Sequence, residues 1–124
     1  MEYSHNPNGK LFADVWSDLR LSNPDKYYPG SELEIIYRGA LMGYAKVVAV
    51  RRVQFKTLRD ALSFLVQGRP AHYTASVLKR MYGKIEPDDM IDHVVLAYTK
   101  RNLENQSSLI ADWWKTKNET SIAS

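Results

Sequence analysis

The stretch from Tyr28 to Val53 constrains the fold of this chain more than any other part of the sequence. It opens with Pro29-Gly30, which is typical of a turn because proline presets φ and glycine accepts backbone angles that other residues avoid. Residues 33–38 then alternate between two faces, and residues 43–53 are rich in β-branched valine. The two runs predict paired strands. A β-hairpin is therefore the predicted core of a small β domain.

Composition predicts a single domain over residues 10–117, with a disordered lead at residues 1–9 and a polar tail at residues 118–124. Hydrophobic residues at 44% and charged residues at 25% are ordinary globular values. The absence of cysteine excludes disulfides, thiolate zinc sites and a cysteine nucleophile. No signal pattern and no apolar run of roughly 18 residues is present, so we expect a cytoplasmic protein without a membrane partner.

The remaining segments predict helices around the hairpin and one further strand. Residues 11–21 indicate a short helix or turn followed by a strand, and residues 57–82 indicate two amphipathic helices. The apolar run from His93 to Thr99 is typical of a central strand. Residues 103–117 have the spacing of an amphipathic helix, which the pair Trp113-Trp114 is expected to dock on the sheet. The predicted fold class is α+β.

Positive charge is concentrated in the middle of the chain. Residues 38–84 hold ten Lys or Arg against one acid, Asp60, which gives this segment a net charge of +9 within a chain whose total is +3. Clustered cations gain affinity for phosphate by releasing condensed counterions, so the segment predicts a surface that binds RNA. The alternative is a solvated face whose cations pair in space with the acidic flanking segments.

The order of these segments resembles that of the ASCH domains of the PUA-like superfamily. The resemblance covers roughly residues 10–100. It lies in WSDLRLS at residues 16–22, the Pro29-Gly30 turn, the hairpin ELEIIYRG and GYAKVVAV, the helical insertion and the closing strand. It implies a small β-barrel with peripheral helices and an association with RNA. One branch of that family comprises amidohydrolases that act on acetylated cytidine.

The family signature is G-x-K-x-x-E-x-R, and its arginine matches Arg20. Asp18 then stands at the acid position, whereas an alanine and Val15 replace the glycine and the lysine. The hydrolase branch has threonine where Asp18 stands. The resemblance therefore implies a binding module here rather than an enzyme. An amidohydrolase would need a substitute lysine, such as Lys10 or Lys26, beside Arg20.

The sequence shows no catalytic or metal-binding constellation. Amide hydrolysis needs an activated nucleophile, a base and a site for the oxyanion, and Ser17 has no histidine near it in sequence. The three histidines are too scattered to predict a metal site. The acids of residues 88–92 lack the spacing of a calcium loop. We therefore predict no catalytic residues, no metal and no cofactor.

The candidate ligand-binding residues combine aromatic rings, polar groups and cations, as recognition of a nucleobase and its phosphate requires. They are Trp16, Ser17, Asp18, Arg20, Lys26, Tyr27, Arg51 and Arg52. Because Arg51 and Arg52 are adjacent on a strand, they are expected to point to opposite faces, with one of them functional. The alternative is that Trp16 and Tyr28 pack the barrel end while Asp18 pairs with Arg20.

The sequence thus predicts a PUA-like barrel that binds RNA or a nucleotide-like small molecule, without catalysis, in a polar cleft lined by Arg20 and Lys26. Two alternatives from other classes stay open. One is an amidohydrolase that acts on an acetylated or otherwise modified nucleoside. The other is a protein-interaction module that uses the helix bearing Trp113-Trp114.

Overall fold

The chain folds into a mixed α+β arrangement around one curled sheet. A computed structural model describes residues 1–108 and 110–111. The strands are β1 (Glu2–Tyr3), β2 (Val15–Leu21), β3 (Glu32–Tyr37), β4 (Ala40–Gln54) and β5 (Met90–Arg101). The helices are α1 (Asp60–Gln67) and α2 (Ala71–Tyr82), with short 3-10 helices at Pro7–Phe12 and Phe55–Thr57 and helical residues at 103–108 and 110–111.

The sheet has the strand order β1-β3-β4-β5-β2 and is curled into a half-barrel. β3 and β4 form the hairpin that the sequence predicts. Its turn residues Arg38 and Gly39 both have positive φ, of 49° and 82°, as a two-residue hairpin turn requires when its twist matches that of the strands. β5 lies between β4 and β2, so the predicted central strand is confirmed.

The curl brings the two edge strands, β1 and β2, close to each other. Arg20 on β2 donates from Nη2 to the backbone oxygen of Glu2 at 3.2 Å. Nearby, Trp16 Nε1 donates to the hydroxyl of Tyr3 at 3.1 Å. Since β1 and β2 occupy opposite ends of the strand order, side chains rather than a backbone ladder join them.

Two apolar clusters lie on opposite faces of this sheet. Trp16 and Leu19 stand three residues apart on β2 and therefore point to different faces. Trp16 belongs to the cluster inside the curl, with Ile35, Val47 and Leu96 among its members. Leu19 belongs to a second cluster, which α1 and α2 cover through buried residues such as Val66 and Leu78. The helices are thus fixed beside β2.

Residues 1–9 do not form the disordered lead that the sequence analysis expects. Glu2–Tyr3 pairs in parallel with Ile36 and Tyr37, and the side chains of Met1 and Tyr3 are buried in the inner cluster. A 3-10 helix follows from Pro7. These residues are ordered because the apolar side chain of Met1 and the aromatic side chain of Tyr3 close the inner core. The sequence did not show this, since a two-residue strand is too short to show a period.

The end of the chain is only partly described. Residues 103–108 and 110–111 are helical, which confirms the start of the predicted last helix. Trp113-Trp114 and the tail predicted at residues 118–124 lie outside the described residues. None of the described helices is long and apolar enough to cross a membrane.

Candidate ligand-binding site

A cavity of about 380 Å³ lies at the seam between β1 and β2. Asp18 and Arg20 of β2 line one side with residues 2–6 and Lys10, and the end of α1 and the face of α2 line the other. The volume falls within the range of about 300–1,000 Å³ that small-molecule sites occupy. The curl of the sheet and the helix pair therefore leave a space of ligand size where the two sheet edges meet.

Asp18 is the centre of a buried ionic group made of Lys10, Asp18 and Arg20, which we call the floor cluster. Its Oδ1 accepts from Lys10 Nζ at 3.3 Å and from the backbone nitrogen of Leu19 at 2.9 Å. Its Oδ2 accepts from Nε and Nη2 of Arg20 at 3.1 and 3.0 Å. Burial alone would raise the pKa of Asp18, but the two cations outweigh it and hold the pKa below its usual value.

Lys10 reaches Asp18 from the first 3-10 helix. Its Nζ donates to the backbone oxygens of Ser17 at 3.2 Å and Val66 at 3.4 Å, in addition to the carboxylate. These three acceptors match the three N–H groups of an ammonium. Burial lowers the pKa of Lys10, and Asp18, whose charge is shared with Arg20, offsets only part of that effect. Lys10 therefore lies beside Asp18 in the cavity, whereas the side chain of Val15 on β2 is exposed.

Arg20 is held in one orientation, yet it keeps one nitrogen available. The ring of Tyr3 lies 4.8 Å from its guanidinium carbon, and Asp18 and Glu2 accept from Nε and Nη2. Nη1 makes no hydrogen bond to any residue that the structure describes. Burial alone would lower the pKa of Arg20, but the charge of Asp18 outweighs burial and raises the pKa above its usual value. Arg20 thus presents a permanent charge and a free donor to the cavity.

The helical wall of the cavity is mostly apolar, and its rim is cationic and aromatic. Tyr73, Val77 and Met81 follow one another at intervals of four on α2 and so share one helix face. The guanidinium of Arg69 lies 5.3 Å from the centre of the Tyr73 ring. Tyr73 remains 43% exposed, so its ring is accessible at the rim. The cavity therefore combines an ionic floor, an apolar wall and an aromatic rim.

Some of the residues predicted for a site meet at this cavity. Asp18 and Arg20 line it, and Ser17 contributes a backbone oxygen to the floor cluster. Trp16 is only 5% exposed, with its ring centre 4.6 Å from that of Tyr98. The interpretation of Trp16 as an accessible stacking ring is therefore corrected: it packs in the core, because the inner face of β2 is closed by other aromatic side chains.

The remaining predicted site residues lie outside the cavity lining. Lys26 is exposed and lies 5.5 Å from the centre of the Tyr27 ring, so it does not line the cleft with Arg20 as expected. Tyr27 is buried. Arg51 and Arg52 are both exposed, and Arg52 donates from Nε to the fully buried Asp92 at 2.9 Å. The turn before β3 and the strand β4 point these side chains elsewhere.

Tyr3, Asn6, Arg69 and Tyr73 line the cavity but were not among the residues predicted for a site. Tyr3 and Asn6 were missed because residues 1–9 read as a disordered lead, although Met1 and Tyr3 are two apolar residues at strand spacing. Arg69 was missed because it lies in a helix-breaking turn, and Tyr73 because it lies at the start of the next helix. The two side chains meet across the start of α2, with the guanidinium 5.3 Å from the centre of the ring.

The basic segment of residues 38–84 is partly neutralised. Arg52 pairs with Asp92, Lys56 with Asp88 and Lys84 with Glu86. Its other cations form no ion pair within the part of the chain that the structure describes, and among them Arg69 lines the cavity. Both interpretations of the segment, a phosphate-binding surface and a solvated face, therefore remain predictions.

The described residues contain no group of three acidic or histidine side chains close enough to hold a metal ion. Comparison of the chain with protein-family models, with curated proteins and with solved structures found no match.

Proposed function

We propose that this chain is a non-catalytic binding module that holds a nucleotide-like ligand in the cavity at the seam of β1 and β2. The observation that carries the proposal is the state of Arg20. Its guanidinium is fixed by Asp18 and Tyr3, yet its Nη1 is left for a group in the cavity. A prearranged charged donor of this kind binds an anionic or carbonyl oxygen without a large ordering cost.

The walls of the cavity suit the rest of such a ligand. A nucleobase is flat and apolar on its faces, and α2 offers Val77, Met81 and the accessible ring of Tyr73. Arg69 beside Tyr73 adds a cation that stacks on a base or contacts phosphate. These features support a ligand that has both a ring and a charged group.

We also propose that this chain belongs to the ASCH domains of the PUA-like superfamily. Two observations support it: the five strands curl into a half-barrel with helices beside it, and an arginine, an acid and a lysine meet at one site. The lysine is Lys10 rather than a residue at the position of Val15. The association of that family with RNA extends the proposal to a nucleotide of an RNA strand.

Isothermal titration calorimetry with nucleoside monophosphates and with a short single-stranded RNA tests the proposal. We expect saturable binding, weakened at least about tenfold by Arg20→Gln, since a charged hydrogen bond contributes about 1.5–3 kcal/mol. The matched control is Arg51→Gln on β4, which changes an exposed arginine outside the cavity and should alter binding of the monophosphate by less than about twofold.

The RNA arm of the titration is repeated over a range of salt concentrations. Cations that contact phosphate together give a log–log slope of about −0.7 per phosphate neutralised. If neither a monophosphate nor RNA binds even at low salt, where attraction is strongest, the proposal is wrong. RNA binding that Arg51→Gln weakens and Arg20→Gln does not would assign the binding to the basic surface instead.

One observation favours a second candidate, an amidohydrolase acting on a modified nucleoside. Lys10 stands beside Asp18 and Arg20, where a catalytic lysine would be needed. Against catalysis, all three N–H groups of Lys10 already have acceptors within the protein, so none is left to bind or protonate a substrate. The third possibility, protein interaction through Trp113-Trp114, concerns residues outside those described.

We accordingly expect purified protein to release no acetate from acetylated cytidine beyond the level found with Lys10→Met. Methionine fills a volume similar to that of lysine but has no proton to transfer and no charge. Release of acetate can be followed by proton nuclear magnetic resonance. Turnover by the unaltered protein that Lys10→Met abolishes would establish the enzyme and refute the non-catalytic assignment.

A further inference from the structure

We infer that the ligand enters the cavity oxyanion first, with a phosphate or carboxylate group bound at the floor by Arg20 and Asn6 and with its ring toward the rim. This inference rests on the proposed function, because it assigns an orientation to the ligand of that same cavity. It is carried by the hydrogen-bonding capacity that the floor leaves unused.

Two polar groups of the cavity lining, on Arg20 and Asn6, have no hydrogen-bond partner among the described residues, and both are donors. Arg20 Nη1 has no partner among the described residues. Asn6 Nδ2 is buried and has no partner either. The orientation of Asn6 is fixed, since its Oδ1 accepts from the backbone nitrogen of Leu11 at 2.8 Å, and the amide cannot be reversed without losing that bond. Both side chains line the cavity.

The acceptors of the floor cluster and of the neighbouring Tyr3 are already occupied. Both oxygens of Asp18 accept two hydrogen bonds each. The hydroxyl of Tyr3 accepts from Trp16, and burial, reinforced by Asp18, raises its pKa well above the usual value, so it stays neutral. A ligand edge that carries N–H groups would therefore leave them unpaired at the floor, which is unfavourable. An oxyanion brings acceptors alone.

The net charge of the floor cluster also favours an oxyanion. Lys10 and Arg20 carry two positive charges against the single negative charge of Asp18, so the buried floor has an excess of one positive charge. The cavity lining has one further acid, Glu2, whose side chain is exposed. Its backbone oxygen accepts from Arg20. An anionic group at the floor neutralises the excess in a region of low dielectric, where the attraction is strongest.

The rim then receives the ring of the ligand. Tyr73 is 43% exposed and the guanidinium of Arg69 lies 5.3 Å from the centre of its ring, so a planar group would stack where solvent still reaches it. The opposite orientation would place the charged group at the rim and a base edge with mixed donors and acceptors against a floor cluster whose acceptors are already hydrogen-bonded. The oxyanion-first orientation pairs every donor that the floor offers.

The test compares cytidine 5′-monophosphate, cytidine, orotate and inorganic phosphate by isothermal titration calorimetry at pH 7. Orotate carries a carboxylate on a pyrimidine ring, so it separates carboxylate from phosphate as the bound group. We expect the monophosphate or orotate to bind at least tenfold more tightly than cytidine, and the preferred one identifies the oxyanion. For a phosphate site, inorganic phosphate should compete.

Asn6→Asp provides the decisive variant. It preserves the oxygen that accepts from Leu11 but replaces the free donor by a second, charged oxygen. We expect it to weaken binding of the oxyanion ligand at least tenfold and to leave that of cytidine within twofold. Asn23→Asp, which adds the same charge at an exposed position outside the cavity, should change neither.

The outcomes separate the inference from the proposed function. Cytidine that binds as tightly as its monophosphate, with no effect of Asn6→Asp, would overturn the oxyanion-first orientation and leave a nucleoside site in place. Failure of all four compounds and of the short RNA to bind would overturn both. Unfolding curves of each variant confirm that a change in binding is not a change in folding.

Discussion

Asp18→Asn is expected to destabilise the protein by about 3–5 kcal/mol, because removing one partner of a buried ion pair leaves uncompensated charge in the interior. Asp18→Asn would remove the partner of two buried cations, Lys10 and Arg20, at once. The side chains of Lys10 and Arg20 are 8% and 10% exposed, and asparagine has the shape of Asp18 without its charge. The free energy of unfolding is measured by urea titration, followed by circular dichroism.

Asp88→Asn is the matched control. Asp88 pairs with Lys56 at the surface, where its side chain is 76% exposed, so its loss should cost less than about 1 kcal/mol. An Asp18→Asn variant that loses no more than this control would refute the floor cluster as a determinant of stability.

The pH dependence supplies a second readout of the same variant. The pKa of Asp18 is lower in the folded protein than its unfolded value of about 3.9. The stabilisation from its charge is therefore fully present above the unfolded pKa, and it is lost as the pH falls through the folded pKa. The stability difference between the unaltered protein and Asp18→Asn should stay constant from pH 8 to about 5 and shrink in stronger acid.

Gly43→Ala is expected to destabilise the protein by about 3 kcal/mol or more, through strain and steric overlap together. Gly43 has a φ of +149°, and a Cβ at this position would lie 2.2 Å from the backbone oxygen of Lys100. Since that oxygen belongs to the neighbouring strand rather than to a flexible side chain, the β4 and β5 ladder must move. The same urea titration measures the loss.

Gly39→Ala separates strain from overlap. Gly39 also has positive φ, of +82°, but nothing lies within 4 Å of a Cβ built there. Its replacement should cost only the conformational penalty of about 1–2 kcal/mol. Equal losses for the two variants would contradict the close approach of β4 and β5 at Gly43.

The parts of the fold that were predictable are those with local signals. Alternation over residues 33–38, the turn at Arg38-Gly39 and the apolar run of β5 specify paired strands without reference to distant residues. The only local signal for the strand β1 is the pair of apolar residues Met1 and Tyr3. The strand exists because Glu2 and Tyr3 pair with Ile36 and Tyr37, contacts that are far apart in sequence and depend on the curl of the whole sheet.

The site was predictable to a similar extent. Asp18 and Arg20 lie two residues apart on one strand, so they share a face, and their pairing was foreseen as an alternative. Lys10 arrives from a 3-10 helix, outside the register of β2, and no spacing rule in the strand predicts it. The wall of α2 lies more than fifty residues beyond β2, so Tyr73 joins the site only through the packing of helices on the sheet.

The central claim is that the cavity between β1, β2 and α2 binds a nucleotide-like ligand. The most direct test is a titration of isotope-labelled protein with cytidine 5′-monophosphate, followed by amide and arginine side-chain signals in nuclear magnetic resonance spectra. We predict saturable shifts at the Arg20 guanidinium and at the amides of Tyr3 and Tyr73. Shifts confined to the exposed cations of β4, Lys46 and Arg51, or no saturable shift at all, would contradict the claim.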